Sequence, residues 1–201
     1  MCRFGKDVRR VYTQMVINKI LILGSTYLTE LIVKRLKKDY DLVGYVPSVK
    51  PTNEGVIKLP MVDINTECDI KLSVQYDKIL ENTSKCFNVH TGLLPNYGGT
   101  NLLDYTIQNK EYEQGLTFHK MTKDLDFGPI ISKITYPVFS TDSAFDLYKR
   151  LLKVAPEFVL SSLKLLSELT WEEVEHCYMK KPKLYKRGEF VVDKKIKNYD
   201  E

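Results

Sequence analysis

The sequence lacks the features that mark several classes of protein. Its longest apolar stretches, such as Ile20–Leu23, fall far below the ~18 residues of a membrane-spanning helix. The four cysteines are scattered, with no CxxC pair and no histidine cluster beside them (Cys2, Cys68, Cys86 and Cys177). We therefore expect neither a zinc site nor a disulfide framework. The start of the chain lacks the apolar run of a signal peptide, which favours a cytoplasmic protein.

A strong excess of charge is also missing. The 30 Lys and Arg residues are nearly balanced by 26 Asp and Glu, and the net charge is only +4. This composition gives no electrostatic reason to expect a nucleic-acid partner, although a small anionic substrate is compatible with it. With 201 residues, of which 43% are hydrophobic, the chain is long enough for one domain that buries a sufficient core.

The hydrophobic pattern near the start of the predicted domain is that of an α/β fold. The continuous apolar run Ile20–Leu23 predicts a strand buried on both faces. Apolar residues then recur at helical spacing from Leu28 to Lys38, and Leu42–Val46 predicts a second strand. A strand, a helix and a strand in this order form a βαβ unit, so we expect a parallel sheet with a right-handed crossover.

The rest of the chain extends this pattern. Further strands are predicted at Leu59–Ile64, Ile70–Val74, Cys86–His90, Gly115–Met121 and Ile130–Val138, and helices at 77–82 and from Leu102 to Lys110. Ser143 predicts the N-cap of another helix, and Pro156 predicts the start of the next one. The residues Lys183–Phe190 predict a C-terminal hairpin. We accordingly divide the chain into an N-terminal extension (1–17), a main domain (18–168) and a C-terminal hairpin or tail (169–201).

Three polar residues stand where predicted strands end. Asn88 and His90 lie two residues apart, so their side chains share one face of the strand. Asp126 lies in a loop between two later strands. Ligands of a parallel α/β sheet bind beyond the carboxyl ends of its strands. An amide can donate to an oxyanion, an imidazole can transfer protons, and a carboxylate can orient the imidazole, so these residues are suited to acyl transfer.

The three residues alone leave two interpretations open. No serine or cysteine is placed as a nucleophile, which favours direct transfer to an incoming amine. The alternative is structural, with Asn88 and His90 as a polar pair at the edge of the core and Asp126 as part of an acidic turn. For His119 we favour a supporting role, in which it bonds to a neighbour, over a catalytic one.

Two blocks of sequence resemble signatures of the folate-dependent formyltransferases. Residues 87–95, FNVHTGLLP, are similar to the family segment N-[IV]-H-P-S-L-L-P. Residues 115–121, GLTFHKM, and 124–131, DLDFGPII, are similar to the family segments G-[VC]-T-[IV]-H and D-x-G-P-I-I. The blocks stand at the family's usual separation, and the resemblance extends from about Lys19 to Leu166.

The resemblance implies a fold and a reaction. The fold is a Rossmann-like, mostly parallel twisted sheet flanked by helices, and residues 18–168 form its catalytic domain. The reaction transfers a formyl group from the co-substrate 10-formyltetrahydrofolate to an amine, without a metal ion. The family's catalytic residues fall on Asn88, His90 and Asp126. The folate-binding positions implied by the resemblance are Lys78, Ile79, Leu80, Thr122, Asp124 and Leu125.

For the acceptor amine, chain length argues against two branches of the family. Methionyl-tRNA formyltransferases and formyltetrahydrofolate deformylases each carry an additional domain for which we expect no room. Glycinamide ribonucleotide formyltransferases match in length, but bulky Tyr27 stands in the loop that binds phosphate in those enzymes. The predicted hairpin resembles that of enzymes that formylate nucleotide-linked amino-dideoxysugars. We expect such an acceptor, with Tyr97 and Asn101 as contacts.

Two alternatives remain, together with two departures from the family pattern. The acceptor could be glycinamide ribonucleotide, or the chain could be a catalytically inactive folate- or nucleotide-binding module. Thr91 replaces the family's proline, and Gly98 replaces an arginine that many members carry. Both changes affect expected acceptor contacts, and neither removes a catalytic group. By analogy with related sugar enzymes we expect a homodimer, and we expect neither nucleic-acid nor membrane partners.

Overall fold

The computed structural model describes residues 14–48 and 57–186. In chain order the elements are β1 (Lys19–Leu23), α1 (Tyr27–Leu36), β2 (Asp41–Val46), β3 (Ile70–Val74), β4 (Cys86–His90), β5 (Gly98–Gly99), α2 (Leu102–Gln108), β6 (Glu113–Lys120), β7 (Ile130–Pro137), α3 (Ala144–Ser167), α4 (Trp171–Glu175) and β8 (Leu184–Tyr185). None of the helices in these residues combines the length and apolarity that a membrane crossing needs.

Six strands form one sheet in the order β2-β1-β3-β4-β6-β7, and β5 pairs with β8 separately. The pairings β2-β1, β1-β3 and β3-β4 are parallel, whereas β4-β6 and β6-β7 are antiparallel. The predicted α/β fold with a largely parallel sheet is confirmed. The pairing of β6 with β7 is antiparallel because the chain passes between these strands by a short connection rather than a crossover helix.

The two faces of the sheet are covered differently. On one face α1 and α3 pack together over a large core that includes Ile20, Ile22 and Leu72. On the other face a smaller apolar cluster around Leu21 and Leu23 is covered by side chains from the loops that follow β2 and β3. In the described residues this second face, which we call the loop-covered face, is therefore the one on which loops can shape a cleft.

Helix α1 packs through the apolar residues whose helical spacing its sequence predicts. Thr26 is the N-cap, and its hydroxyl accepts the backbone N–H of Thr29 while the Thr29 hydroxyl accepts the N–H of Thr26. Leu28, Ile32 and Leu36 follow at intervals of four residues and are all fully buried. These side chains form the apolar stripe that holds the helix on the sheet.

Helix α3 corrects one prediction. Pro156 does not start a second helix, because a single helix runs from Ala144 to Ser167 with the proline inside it. Pro156 lacks the N–H of the intrahelical bond, a defect that costs about 3 kcal/mol in an ordinary helix. The apolar stripe continues on both sides of it, with Leu151 and Val159 both fully buried. Packing of this long stripe therefore outweighs the local preference of proline.

Two further element predictions were wrong. Residues 77–82 form an irregular loop instead of a helix, and Ile79 in that loop is 95% exposed. A helix there would have only Leu80 to bury, so no apolar face stabilises one. The predicted strand Leu59–Ile64 is reduced to one isolated bridge between Tyr45 and Met61.

The two ends of the described chain are tied to the domain. Met15 and Ile17, which belong to the predicted N-terminal extension, are buried in the core, and the Met15 N–H donates to the Leu169 carbonyl. At the other end, β8 pairs in parallel with β5. The predicted hairpin includes residues 187–190, which lie outside the described residues, as do residues 1–13 of the extension. The hairpin therefore stays a prediction.

Candidate active site

The pairing of β4 with β6 brings four polar side chains to the loop-covered face of the sheet. Asn88 lies opposite His119, and His90 lies opposite Thr117. Residues directly opposite each other in an antiparallel pair project to the same side. The strand period therefore places all four on the face opposite Phe87 and its neighbours in the core.

His90 and Asp126 form a buried pair. His90 Nδ1 lies 3.3 Å from Asp126 Oδ1, and the two side chains are only 6% and 7% exposed. The other ring nitrogen, Nε2, lies 2.7 Å from the Tyr97 carbonyl. Because a carbonyl can only accept, Nε2 carries a proton and donates it to this oxygen. Both ring nitrogens of His90 thus face an oxygen, which fixes the orientation of the imidazole.

The carboxylate of Asp126 is held by the backbone as well. Its Oδ2 accepts the N–H of Gly99 at 2.6 Å, and Asp126 itself has a positive φ of 49°. Burial alone raises the pKa of this carboxyl. The hydrogen bond and charge of His90, together with the Gly99 N–H, lower the pKa by more than burial raises it. The pKa of Asp126 therefore lies below its ordinary value, and the group is ionised at neutral pH.

A second pair, Asn88 and His119, lies beside the first. His119 Nδ1 donates to the Lys120 carbonyl at 3.0 Å, which leaves Nε2 as an acceptor for the Asn88 amide at 3.2 Å. Burial and then the neighbouring charge of His90 lower the pKa of His119 to about 4. His119 is therefore neutral at physiological pH. It orients Asn88 and leaves the second amide hydrogen of Asn88 available.

A cleft of about 260 Å³ opens next to these pairs. Asn88, His119 and Asp126 line it, and His90 lies behind them. All six residues predicted to bind folate also line it, namely Lys78, Ile79, Leu80, Thr122, Asp124 and Leu125. Two of these, Ile79 and Leu125, are large apolar side chains left 95% and 62% exposed at the opening. The structure thus brings the predicted catalytic and folate-binding residues together.

The two predicted acceptor contacts lie apart from this cleft's lining. Tyr97 is buried, with its ring stacked on Tyr185 and its hydroxyl donating to Glu111 at 2.6 Å. Burial, followed by the hydrogen bond with Glu111, raises the pKa of Tyr97. Asn101 is half-buried at the start of α2, with φ of 56° and no side-chain capping bond. Of the two, Asn101 has the freer side chain.

Thr117 is a residue of the site that the sequence analysis did not single out. Its hydroxyl donates to the Gly92 carbonyl at 2.6 Å and accepts the Leu94 N–H at 3.0 Å. These bonds fix the start of the loop that carries Tyr97 and Gly99. The signal was present in the sequence, since Thr117 alternates with His119 in the second block that resembles the formyltransferases.

No metal centre is visible in the ranges 14–48 and 57–186. Within them, no three His, Cys, Asp or Glu side chains are grouped so that they could hold an ion. The groups that the described part of the site presents are an amide, two imidazoles and a carboxylate.

Comparison with known proteins gives a family match for residues of the cleft. Residues 65–163 match the family described as formyl transferase. A methionyl-tRNA formyltransferase of Streptococcus pyogenes is 34% identical over 85 residues, which are 42% of this chain and 27% of that protein. The alignment with such curated relatives thus spans about a quarter of their length.

Solved structures share the fold at low sequence identity. An N-formyltransferase from Helicobacter canadensis matches with a TM-score of 0.74 and 19% identity, covering 90% of this chain and 75% of that one. A phosphoribosylglycinamide formyltransferase from Anaplasma phagocytophilum matches with a TM-score of 0.66 and 20% identity, covering 76% and 88%. The matched segment contains β3, β4, β6 and the loop of Asp126, so the segments that build the cleft are among those that match the formyl transferase family.

Proposed function

We propose that this protein transfers the formyl group of 10-formyltetrahydrofolate to the amine of a nucleotide-linked amino-dideoxysugar. The observation that carries the proposal is the conjunction of Asn88, His90 and Asp126 beside one cleft. The alternative of an inactive binding module is disfavoured, because such a module has no need to keep a buried His–Asp pair against the cost of burial.

In the proposed reaction the acceptor amine attacks the formyl carbon. A C–N bond forms to the acceptor, and the carbonyl oxygen becomes an oxyanion that accepts the free amide hydrogen of Asn88. The attacking nitrogen gives up a proton, and collapse of the tetrahedral intermediate breaks the bond to N10 of the folate. N10 takes up a proton as tetrahydrofolate leaves, with His90 and Asp126 as the relay.

The cleft suits a flat bicyclic ring with a charged tail. Ile79 and Leu125 provide apolar surface at the opening, and Leu80 is buried beside them. Lys78 and Lys123 add two cations to the same lining. A pterin could pack between the apolar side chains while its glutamate carboxylates meet the lysines. The solved Helicobacter canadensis enzyme is described in complex with folinic acid and dTDP-3-aminofucose, which agrees with both proposed substrates.

The loop after β1 favours the amino sugar over glycinamide ribonucleotide. A phosphate-binding loop needs free N–H groups at the start of the next helix. Here the hydroxyls of Thr26 and Thr29 already bond to each other's backbone N–H groups, and the Thr26 hydroxyl also donates to Gln75. Tyr27 follows at the first helical position and is 44% exposed. This start of α1 is closed by its own side chains.

A panel assay tests the proposal. The purified chain is given 10-formyltetrahydrofolate with a thymidine-diphosphate amino sugar, a uridine-diphosphate amino sugar or glycinamide ribonucleotide, and tetrahydrofolate release is followed. We expect turnover with the thymidine-linked sugar first. Turnover only with glycinamide ribonucleotide would reassign the acceptor. No release with any of the three amines, from protein that still binds folinic acid, would support the binding-module alternative.

A further inference from the structure

Three consecutive backbone N–H groups in and after β5 point in alternating directions. The N–H of Gly98 donates to the Lys183 carbonyl at 2.9 Å, and that of Thr100 donates to the Tyr185 carbonyl at 3.1 Å. Between them, the N–H of Gly99 points the other way and donates to Asp126. The pairing with β8 thus aims one amide at the carboxylate of the proposed active site.

Strands β5 and β8 approach so closely that position 99 requires glycine. Gly99 has φ of +93°, and a Cβ there would lie 2.1 Å from the Tyr185 carbonyl oxygen. Any larger residue would push β8 away from β5. The direction of the Gly99 N–H therefore depends on β8 staying in place.

The ring of Tyr185 anchors β8. It stacks on Tyr97 with ring centroids 5.0 Å apart and contacts Tyr105 at 4.4 Å. Its hydroxyl accepts a hydrogen bond from Asn109 at 3.1 Å, and the ammonium of Lys183 lies 4.7 Å above the ring. Stacked aromatic pairs contribute ~0.5–1.5 kcal/mol each beyond the area they bury. This single side chain is thus held on several sides.

Tyr185 is connected to both His90 and Asp126 through residues that it contacts. Tyr97, on which Tyr185 stacks, accepts the His90 Nε2–H with its carbonyl. Gly99, against which the Tyr185 backbone packs, donates to Asp126. Tyr185 touches neither His90 nor Asp126, and its effect on them passes through the backbone of the loop between β4 and α2.

We propose that Tyr185 is a positioning residue that sets the geometry of the His90–Asp126 pair through the carbonyl of Tyr97 and the N–H of Gly99. The expected effect on kcat rests on the proposed function. The coupling between Tyr185 and the His90–Asp126 pair is a property of the folded chain and does not require turnover. It gives the C-terminal segment a role in the reaction that does not depend on contact with substrate.

The effect of Tyr185 on the pKa of Asp126 has a predictable direction. His90 from β4, His119 from β6 and the Gly99 N–H from β5 all face Asp126, and each lowers its pKa against the effect of burial. Lys123 and Asp124 are charged neighbours on its own loop. If β8 is displaced and the Gly99 N–H turns away, the pKa of Asp126 rises. The acidic limb of the kcat profile then moves to higher pH.

The experiment compares Tyr185→Ala and Tyr185→Phe with Tyr178→Ala as the matched control, because Tyr178 is a half-exposed tyrosine earlier in the same C-terminal stretch. We expect Tyr185→Ala to lower kcat about tenfold or more, as a small misplacement of catalytic groups does, with the KM for folate changed less than about twofold. Tyr185→Phe, which keeps the stack, and Tyr178→Ala should both retain the rate. Equal rates in Tyr185→Ala and the parent would overturn the inference.

A measurement without turnover separates this inference from the proposed function. The carboxyl ¹³C signal of Asp126, assigned by its loss in Asp126→Asn, is titrated in the parent and in Tyr185→Ala. A higher pKa in the variant supports the coupling even if no amine is formylated, and an unchanged pKa contradicts it even if the enzyme is active. Should Tyr185→Ala not fold, Tyr185→Leu keeps the apolar volume without the stack, and the same shift and the same loss of kcat are required of it.

Discussion

The two faces of the β4–β6 strand pair contrast sharply in composition. On the core face, Phe87 and Phe118 stack with ring centroids 5.6 Å apart and planes within 4°, and both are fully buried. On the opposite face, Asn88 bonds to His119, and His90 pairs with Asp126. The same two strands therefore supply rigid packing on one side and a polar cluster on the other.

The polar groups on the second face can be buried because they are hydrogen-bonded to one another. Burying a polar group without a partner costs ~1–3 kcal/mol. In the described part of the chain, the only fully buried side-chain N or O atom with no hydrogen-bond partner is the hydroxyl of Tyr136, which lies outside this cluster. The fully buried polar atoms of this face are thus hydrogen-bonded, while half-buried Asn88 keeps one amide hydrogen available. We expect changes on one face to affect rate and changes on the other to affect stability.

The largest effect should come from His90→Asn. Because Asn cannot transfer protons between the amine and N10, we expect kcat to fall by about 10³-fold or more, in line with the loss of general acid–base catalysis. Binding of folinic acid, measured by calorimetry, should change little, since His90 lies behind the cleft lining. His176→Asn is the matched control, because His176 is exposed at the C-cap of α4, outside the cleft lining, and its replacement should leave the rate unchanged. A His90→Asn enzyme with the parent rate would refute the assignment of its role.

An intermediate effect is expected for His119, a residue of the polar face whose lowered pKa makes the free energy of unfolding depend on pH. The pKa of His119 is lowered to about 4 in the fold, against about 6.5 in an unfolded chain. Between these values the unfolded state binds a proton that the folded state excludes, so the free energy of unfolding falls as pH decreases.

The replacement His119→Gln removes this titration while keeping an amide donor and an acceptor. Between pH 7 and pH 4.5 the parent should lose about 2–3 kcal/mol more unfolding free energy than the variant, as measured by urea denaturation at each pH. Equal losses in the two proteins would show that His119 is protonated in the fold, contrary to its buried bond with Asn88.

The smallest effect should come from Phe87→Leu on the core face. The replacement keeps an apolar side chain but removes the stack with Phe118, so we expect the free energy of unfolding to fall by about 1–2 kcal/mol. The kcat should stay within about twofold of the parent, because Asn88 and His90 point to the other side. A large loss of kcat with unchanged stability would break the separation between the two faces.

The sequence predicted the elements whose local signals agree with their packing. The apolar run of β1, the helical spacing of apolar residues in α1 and the alternation in β4 all combine a local preference with burial. Ser143 likewise caps α3 as expected, and its hydroxyl accepts the Asp146 N–H. For these segments the nearest neighbours in the sequence already determine the outcome.

Elements that depend on distant partners were not predicted. Pro156 lies inside a helix because the stripe on both sides of it is buried by the sheet, which a local proline rule does not include. The pairing of Leu184–Tyr185 with Gly98–Gly99 joins segments far apart in the chain, and the sequence contains no register signal for it. The same holds for the bond between Asn88 and His119, which depends on the register of β4 with β6.

The alternation of amides along Gly98, Gly99 and Thr100 has a consequence for how this chain can vary. Inserting or deleting one residue there would exchange the two sides of the strand, so that the N–H now facing Asp126 would face Tyr185. Natural relatives and engineered variants should accept substitutions at Thr100, whose side chain is exposed, far more readily than any change in the number of residues between Tyr97 and Leu102. In this loop the number of residues, which sets the N–H that faces Asp126, should vary less than the side chain at Thr100.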